Sequence, residues 1–327
     1  MFLSSGSFAD TFSITETSLK ELTKSLNAVF NQYVIVSREE LKSQKREALY
    51  VVECIRKNIE SNVQIYPVGS CRTNLHVRGR YDFDFQLRHL DQLLYNLEMD
   101  EFQVTCNKNS IQFRKSVFDV CKSSVEELDM LPGKHIEAKE GVKAMQIRIT
   151  NNHTNAKIKI DVVPAIDVSN SQVVLNKLKK MPLVVKQLEL CHSNLDHLSI
   201  RKVPIAHILP NEERNVWELD LTPLCKHVLS RLFQNKKAIR ILKSLRDKME
   251  WYKSGFYSSH IFTVILLSLD LDPDSSLGRI FVEALLKLYK ALEKGYLPDI
   301  FHPHKNHFEQ VTTEDRESIL EDMLEKF

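Results

Sequence analysis

The chain has 327 residues, of which 27% are charged, and its formal net charge is only +2 at pH 7. This balance is ordinary for a globular protein, and it excludes a chain that attracts nucleic acid over its whole surface. No run of about 18 apolar residues and no signal-peptide pattern is present, so we expect no membrane partner. The six cysteines form no C-x-x-C pair, which is typical of a reduced, cytoplasmic protein.

The first predicted elements are two helices. One covers residues 19–36, and the second begins at the capping box formed by Ser37 and Glu40 and ends near Asn58. One side of the second helix is apolar, and the other carries basic residues: Lys42, Lys45, Arg46, Arg56 and Lys57. A basic helix face can bind nucleic acid, but such faces are more often simply solvated, so both interpretations stay open.

Residues 68–87 carry the strongest chemical pattern. Gly69-Ser70 follows a predicted strand over residues 63–67, and Asp82 and Asp84 alternate with aromatic residues. Residues two apart on a strand share a face, so the two carboxylates project together. Close carboxylates repel each other unless a cation lies between them, and Mg²⁺ or Mn²⁺ with nucleotide phosphates suits such oxygens. The same alternation also fits a plain edge strand with one wet face.

A third carboxylate, Asp161, lies on a later strand. The chain reaches it through a predicted helix over residues 111–128, a strand over 145–150 and a hairpin turn over 151–155. A D-x-D pair on one strand and a single Asp on another are what a two-metal phosphoryl-transfer site needs. The first half is therefore predicted as α/β, a small twisted mixed sheet with helices on one side.

Beyond residues 164–171 the pattern becomes mostly helical. Helices are predicted over residues 234–249, 258–269, 275–293 and 312–327, and the last is polar enough to be an appendage. Lys236, Arg240 and Lys243 fall three and four residues apart on one face of the first of these helices. We expect two domains, an α/β core over residues 1–170 and a helical lobe over residues 171–327.

G-S, then D-x-D, then a single Asp on a later strand resembles the pattern of the nucleotidyltransferase superfamily. The C-terminal half narrows this resemblance. L-K-S-L-R-D over residues 242–247, S-S-H over 258–260 and L-P-D-x-F over 297–301 are similar to the helical lobe of cyclic GMP-AMP synthase-like receptors and their male-abnormal relatives. The resemblance covers residues 40 to about 308 and implies a two-lobed nucleotidyltransferase fold with a long spine helix.

The resemblance implies an enzyme that joins two nucleoside triphosphates, ATP and/or GTP, into a cyclic dinucleotide. Asp82, Asp84 and Asp161 would be the catalytic residues and would hold two Mg²⁺ or Mn²⁺ ions. Asp161 would also favour deprotonation of the acceptor hydroxyl. The residues expected to bind the nucleotides are Gly69, Ser70, Lys243, Ser258, Ser259 and His260. For Lys243, a solvated surface lysine is the alternative.

The resemblance also implies an innate immune sensor that double-stranded RNA activates and that can oligomerise on its ligand. The RNA would dock on the basic spine helix and on the face of Lys236 and Arg240. RNA is favoured over DNA because the zinc thumb of the vertebrate DNA sensor has no counterpart. Cys191-His192 and His197 lack a second nearby Cys, so no zinc is expected.

Some residues depart from the family pattern. Ser259 stands where a Tyr stacks on the nucleobase, and Glu218 stands where an Arg is expected. Stacking contributes about 1–3 kcal/mol per base, so we expect a changed nucleotide preference more than lost catalysis. Two alternatives stay open. One is a catalytically inactive relative that binds nucleic acid or protein, and the other is a transferase that makes linear oligonucleotides.

Overall fold

The computed structural model describes residues 15–59, 62–70, 75–78, 81–91, 98–100, 103–105, 108–129, 133–141, 144–153, 156–168, 171, 176, 199–202, 216–220, 232–268, 275–299 and 305–326. The α-helices in these ranges are α1 Glu16–Val29, α2 Arg38–Lys57, α3 Lys108–Asp129, α4 Phe233–Lys248, α5 Ser258–Ser268, α6 Leu277–Lys294 and α7 Thr313–Lys326, and a π-helical turn, Phe30–Val34, and a 3-10 turn, Trp251–Ser254, are also present. The strands are β1 Val63–Val68, β2 Tyr81–His89, β3 Glu98–Asp100, β4 Gln103–Thr105, β5 Lys134–Glu140, β6 Met145–Asn151, β7 Lys157–Asp167, β8 Ser199–Lys202 and β9 Val216–Asp220. None of these helices combines the length and the apolar character needed to cross a membrane.

The described strands form one mixed sheet in the order β1-β2-β7-β8-β9-β4-β3, and β6 pairs with both β5 and β7. Its central pair, β2 and β7, is parallel, whereas the other neighbours are antiparallel. A mixed sheet with a helical C-terminal region is compatible with the two-lobed nucleotidyltransferase-like fold, so the predicted fold class is confirmed.

One face of the central strands builds the core of this part of the chain. Phe83 and Phe85 of β2 and Ile158 and Ile160 of β7 are at most 3% exposed. The apolar stripe of α2 packs against β1, β2 and β7, and α3 packs against β5 and β7. Burying one such side chain contributes roughly 1.5–3 kcal/mol, so this layer fixes which face of β2 and β7 points outward. That outward face carries the carboxylates.

The predicted α2 is confirmed, including its beginning. Ser37 is the N-cap, and its hydroxyl accepts a hydrogen bond from the Glu40 backbone amide at 3.1 Å. The Glu40 carboxylate does not close the second half of a capping box among the hydrogen bonds described, and instead accepts from the Tyr81 hydroxyl at the start of β2. The cap therefore also ties α2 to the strand of the D-x-D pair.

The chain divides into two compact units, residues 36–230 and residues 1–35 with 231–327. This division differs from the expected boundary at residue 170 in two ways. α1 belongs with the C-terminal helices, since Thr23 accepts from the Gly278 amide at 2.9 Å. β8 and β9 lie beyond residue 170 and pair with the sheet, so the sheet continues past the expected boundary. Residues 1–14 and the lysines at 177, 179 and 180 lie outside the described residues.

The helices predicted in the C-terminal part are confirmed, but α7 is not an appendage. Its Ile319 and Met323 are buried, and the Trp251 indole donates to Asp322 at 2.9 Å. Arg316 donates to the Leu292 carbonyl at 3.0 Å, at the end of α6. Two buried positions on a charged helix are enough to make α7 part of this unit's core.

Candidate active site

Strand register brings the three carboxylates to one face. Asp82 and Asp84 lie two apart on β2, and Asp161 lies directly opposite Asp84 on the parallel strand β7. Opposite residues of adjacent strands share a face, and so do residues two apart. The three side chains are half-buried, on the side of the sheet away from the aromatic core. The alternation predicted from sequence thus becomes a shared acidic surface of two strands.

Gly69 lies against one of these carboxylates. It follows β1 with φ +54°, a left-handed conformation, and a Cβ built on it would overlap the Asp84 carboxylate, 2.9 Å from Cγ. The cause is the pairing of Val68 with Asp84, which carries the end of β1 past that side chain. Only glycine lets the Asp84 carboxylate approach this closely and adopts this φ without strain. Ser70 follows in a helical turn and is half-buried, and its carbonyl accepts from the Leu75 amide at 3.4 Å.

The two carboxylate oxygens of Asp161 have different surroundings. Its Oδ2 accepts from Lys159 Nζ at 3.1 Å, whereas Oδ1 is buried and has no hydrogen-bond partner. Burial raises the pKa of the Asp161 carboxyl, Lys159 lowers that pKa in part, and the charge of Asp82 raises it again. A buried carboxylate oxygen without a partner is costly, and a cation is the kind of ligand that removes the cost.

The residues fit a divalent metal in kind. Carboxylate oxygens are the ligands that Mg²⁺ and Mn²⁺ prefer, and Asp161 offers a buried oxygen without a hydrogen-bond partner. They do not form a ready-made cage, because no group of three or more His, Cys, Asp or Glu side chains within the described ranges is gathered to hold a metal. Any metal would have to draw these carboxylates together.

Lys243 lies on α4, in the helical unit. Its side chain is 7% exposed, so it is not the solvated surface lysine of the alternative interpretation. The neighbouring basic residues of α4 are also engaged. The Arg240 guanidinium lies 4.8 Å from the centre of the Phe30 ring, and Lys237 donates to Asn27 at 2.7 Å. Burial lowers the pKa of Arg240. Arg240 thus packs on an aromatic ring, and Lys236 beside it is half-buried.

The three residues expected at the start of α5 have different surroundings. Ser258 accepts a hydrogen bond from the buried Arg246 at 2.6 Å, and Ser259 is exposed. His260 is 4% exposed and lies between the rings of Phe256 and Phe308, with centroids at 5.2 and 5.3 Å. Its Nδ1 accepts from the Tyr257 amide at 3.1 Å. These contacts make His260 a packing residue of the helical unit.

Burial, followed by the nearby His307, lowers the pKa of His260 to about 3. The imidazole is therefore neutral at physiological pH. His307 is itself fixed, since its Nε2 lies 2.8 Å from an Asp299 carboxylate oxygen. A neutral, buried ring does not supply charge to a phosphate, so any effect of His260 on a nucleotide would pass through the residues beside it.

The basic face of α2 is mixed. Lys42, Arg46 and Lys57 are exposed, whereas Arg56 pairs with Glu53 at 2.9 Å. The exposed cations share their surface with Tyr50, which is 56% exposed. Cys191, His192 and His197 lie outside the described residues. Only the backbone of Glu218 is described, in β9.

Two residues near the predicted site were missed by sequence reasoning. Lys159 lies opposite Asp82 in the register of β2 and β7 and bonds to Asp161. The alternation K-I-K-I-D already indicates that it shares a face with Asp161. Arg246 is buried and connects α4 to Ser258, and it also pairs with Asp247. Its position in the L-K-S-L-R-D motif was the available signal.

The comparisons with known proteins address the helical unit. Residues 234–325 match the family model described as the Mab-21 protein HhH/H2TH-like domain, a range that runs from the first turn of α4 into α7. A comparison with curated proteins finds no match. The motifs over residues 242–247, 258–260 and 297–301 all lie inside the matched range. This part of the chain is therefore similar to the C-terminal domain of Mab-21 proteins, in agreement with the resemblance of its motifs to the male-abnormal family.

Proposed function

We propose that this protein is a nucleotidyltransferase that joins two nucleoside triphosphates, ATP and/or GTP, into a cyclic dinucleotide. The observation that carries the proposal is the pairing of Asp84 with Asp161, with Asp82 on the same face of β2. Three carboxylates on one face of two adjacent parallel strands repel one another, and bound cations would offset that repulsion. The Mab-21 domain supports this class of chemistry over other uses of an acidic sheet face.

Each chain residue then has a defined task. Asp82, Asp84 and Asp161 would hold two Mg²⁺ or Mn²⁺ ions, which when bound would activate the acceptor hydroxyl and neutralise the leaving pyrophosphate. Asp161 would accept the proton of the acceptor hydroxyl. That oxygen bonds to the α-phosphorus of the donor, and the bond from this phosphorus to pyrophosphate breaks. Gly69 and Ser70 would approach the donor phosphates with backbone amide and hydroxyl groups.

In the helical unit, Lys243 would neutralise the donor triphosphate, and exposed Ser259 would contact a nucleotide where a Tyr is absent. Ser258 and His260 would position neighbouring residues and not contact the nucleotide themselves. Ser258 is bonded to Arg246, and His260 is packed between aromatic rings. A second transfer, with a hydroxyl of the first product as the nucleophile, would close the ring and release a second pyrophosphate.

We propose further that double-stranded RNA activates the enzyme, as part of a cytoplasmic immune sensor that oligomerises on the ligand. Lys42, Arg46 and Lys57 of α2 are exposed, which supports α2 as the RNA-binding surface. The face of α4 is less suitable, because Lys236 is half-buried and Arg240 packs on an aromatic ring. Phosphate contacts by such residues depend on salt, because binding releases counterions. RNA-stimulated product formation should therefore fall steeply with rising salt, and Lys42→Glu with Arg46→Glu should reduce the stimulation.

The experiment uses labelled ATP, GTP, CTP and UTP with Mg²⁺ or Mn²⁺, with and without double-stranded RNA or DNA. Products are treated with phosphatase and separated by thin-layer chromatography. A phosphatase-resistant product that is lost in Asp82→Asn/Asp84→Asn supports the cyclase. A ladder of longer products would point to a linear transferase, and no metal-dependent product with any activator would overturn the proposal.

A binding module without catalysis is the second candidate, and one observation favours it. Lys159 already gives Asp161 a cation, and the described carboxylates are not gathered for a metal. Calorimetric titration with Mn²⁺ separates the two candidates. A module that does not use metal should show the same heats as Asp82→Asn/Asp84→Asn, and should still bind double-stranded RNA.

A further inference from the structure

Lys159 occupies the fourth position of a compact block on the acidic face. In the register of β2 and β7, Asp82 lies opposite Lys159, and Asp84 lies opposite Asp161. Lys159 and Asp161 are two apart on one strand and share a face. Three carboxylates and one ammonium therefore project from four neighbouring positions, and the ammonium is inside the group that would bind metal.

The contact between the two β7 residues is direct. Lys159 Nζ donates to Asp161 Oδ2 at 3.1 Å, and the two side chains are 36% and 24% exposed. The pair therefore lies at the margin of the site, with some access to water. Asp161 Oδ1 has no partner, so the ammonium satisfies only half of the carboxylate. The remaining oxygen can accept a second cation.

A divalent ion at Asp161 and an ammonium at the same carboxylate would repel each other. In a partly buried site the repulsion between close like charges is not fully screened by water. The ion must therefore displace Lys159 or bind against its charge. A polyphosphate reverses this penalty, because its negative oxygens give the displaced ammonium a new partner.

We propose that Lys159 is a built-in counter-ion that competes with free divalent metal for Asp161 and so reserves the site for metal that arrives with a nucleoside triphosphate. This inference rests on the proposed function, since it assumes that the three carboxylates bind metal. Lys159 is thus a specificity residue of the site. Its charge disfavours binding of metal alone and favours binding of metal together with the nucleotide.

The test measures Mn²⁺ binding to the full chain by the loss of the free-ion electron paramagnetic resonance signal. Wild type is compared with Lys159→Met, with and without a non-hydrolysable triphosphate analogue. We expect Lys159→Met to bind free Mn²⁺ about tenfold more tightly, the usual size of one charge interaction. With the analogue present, the advantage should shrink to less than about threefold.

Lys157→Met is the matched control. Lys157 lies on the same strand and face, two residues farther from Asp161, and is exposed. It should leave Mn²⁺ affinity unchanged. Lys159→Gln keeps a polar side chain and replaces Lys159→Met if that variant does not fold. Urea unfolding of both variants shows whether they are folded.

The outcomes separate the inference from the proposed function. If Asp161→Asn lowers Mn²⁺ binding but Lys159→Met and Lys159→Gln bind free Mn²⁺ no more tightly than wild type, the inference is wrong and the metal site stands. The inference is also overturned if the advantage persists in full with the analogue. If no protein binds Mn²⁺ under either condition, both the metal site and the inference fail.

Discussion

Gly69 lies so close to Asp84 that a methyl group on its Cα would overlap the carboxylate. We predict that Gly69→Ala moves the Asp84 side chain and strains the backbone, because φ is +54°. Stability should fall by roughly 1–3 kcal/mol, and Mn²⁺ binding and transferase activity should fall at least about tenfold. Urea unfolding and product formation measure the two effects.

Gly255→Ala is the control for that substitution. Gly255 has a similar φ of +73°, but its added Cβ would meet no atom closer than 3.6 Å. It therefore reports backbone strain without the overlap. Equal losses of activity in the two variants would contradict a special role for the contact with Asp84.

His260 should make stability depend on pH. Burial lowers its folded-state pKa to about 3, below the unfolded value near 6.5. Between these two pH values the unfolded chain binds a proton at this residue and the folded chain does not. This contribution to stability is present above pH 6.5 and is lost as the pH falls toward 3, by up to about 1.4 kcal/mol per unit.

Urea unfolding between pH 4 and 7 tests this slope. His260→Asn offers an acceptor in place of Nδ1 for the Tyr257 amide but does not titrate, so its curve should be flatter than that of wild type. His135→Asn is the comparison, since His135 is 58% exposed. A wild-type slope that His260→Asn leaves unaltered would rule out this residue as its source.

Asn306 holds the segment that follows α6. Its Oδ1 accepts from the amides of Leu297 and Phe308 at 2.9 and 3.0 Å, and its Nδ2 donates to the Gly295 carbonyl at 2.9 Å. Asn306→Ala removes all three bonds and should cost roughly 2–4 kcal/mol, at about 1 kcal/mol or more for each.

Asn306→Asp keeps the two acceptor contacts and replaces the donor with a carboxylate oxygen that faces the Gly295 carbonyl, and it should still cost less than Asn306→Ala. Chemical unfolding of the two variants gives the comparison. Equal costs would mean that the bond to Gly295 accounts for the whole effect.

The last helix should contribute to stability through its buried side. Ile319 is 1% exposed, so Ile319→Ala should destabilise the protein by roughly 2–4 kcal/mol. Leu324→Ala, on the same helix but 68% exposed, should change stability by less than about 0.5 kcal/mol. Equal unfolding midpoints for the two variants would restore the interpretation of α7 as an appendage.

Local patterns predicted the elements of the acidic face, whereas long-range pairing determined its geometry. Period-two alternation placed Asp82 and Asp84 together and made Asp161 a strand residue. That Asp161 lies opposite Asp84 depends on a parallel pairing across the intervening residues, and no local rule fixes that register. The same pairing brought Lys159 beside Asp82, which made a plain surface lysine part of the site.

In the helical unit, sequence motifs identified candidate residues but did not predict their burial or their contacts. S-S-H identified His260, yet its burial depends on Phe256 and on Phe308, which is 48 residues away by residue number. α1 was predicted as a helix from its spacing, but amphipathic character does not name a partner, and α1 joined the C-terminal helices. Glycine in the G-S turn was expected to approach a phosphate, and the structure adds its contact with Asp84.

The division of the helical unit between the two ends of the chain has a consequence for biosynthesis. The Thr23 side chain bonds to the Gly278 amide, 255 residues later. At about 5–20 residues per second, a ribosome needs roughly 13–50 seconds to make the chain between them. α1 therefore leaves the ribosome well before α6, the helix against which it packs, and its apolar side stays uncovered by α6 during that interval.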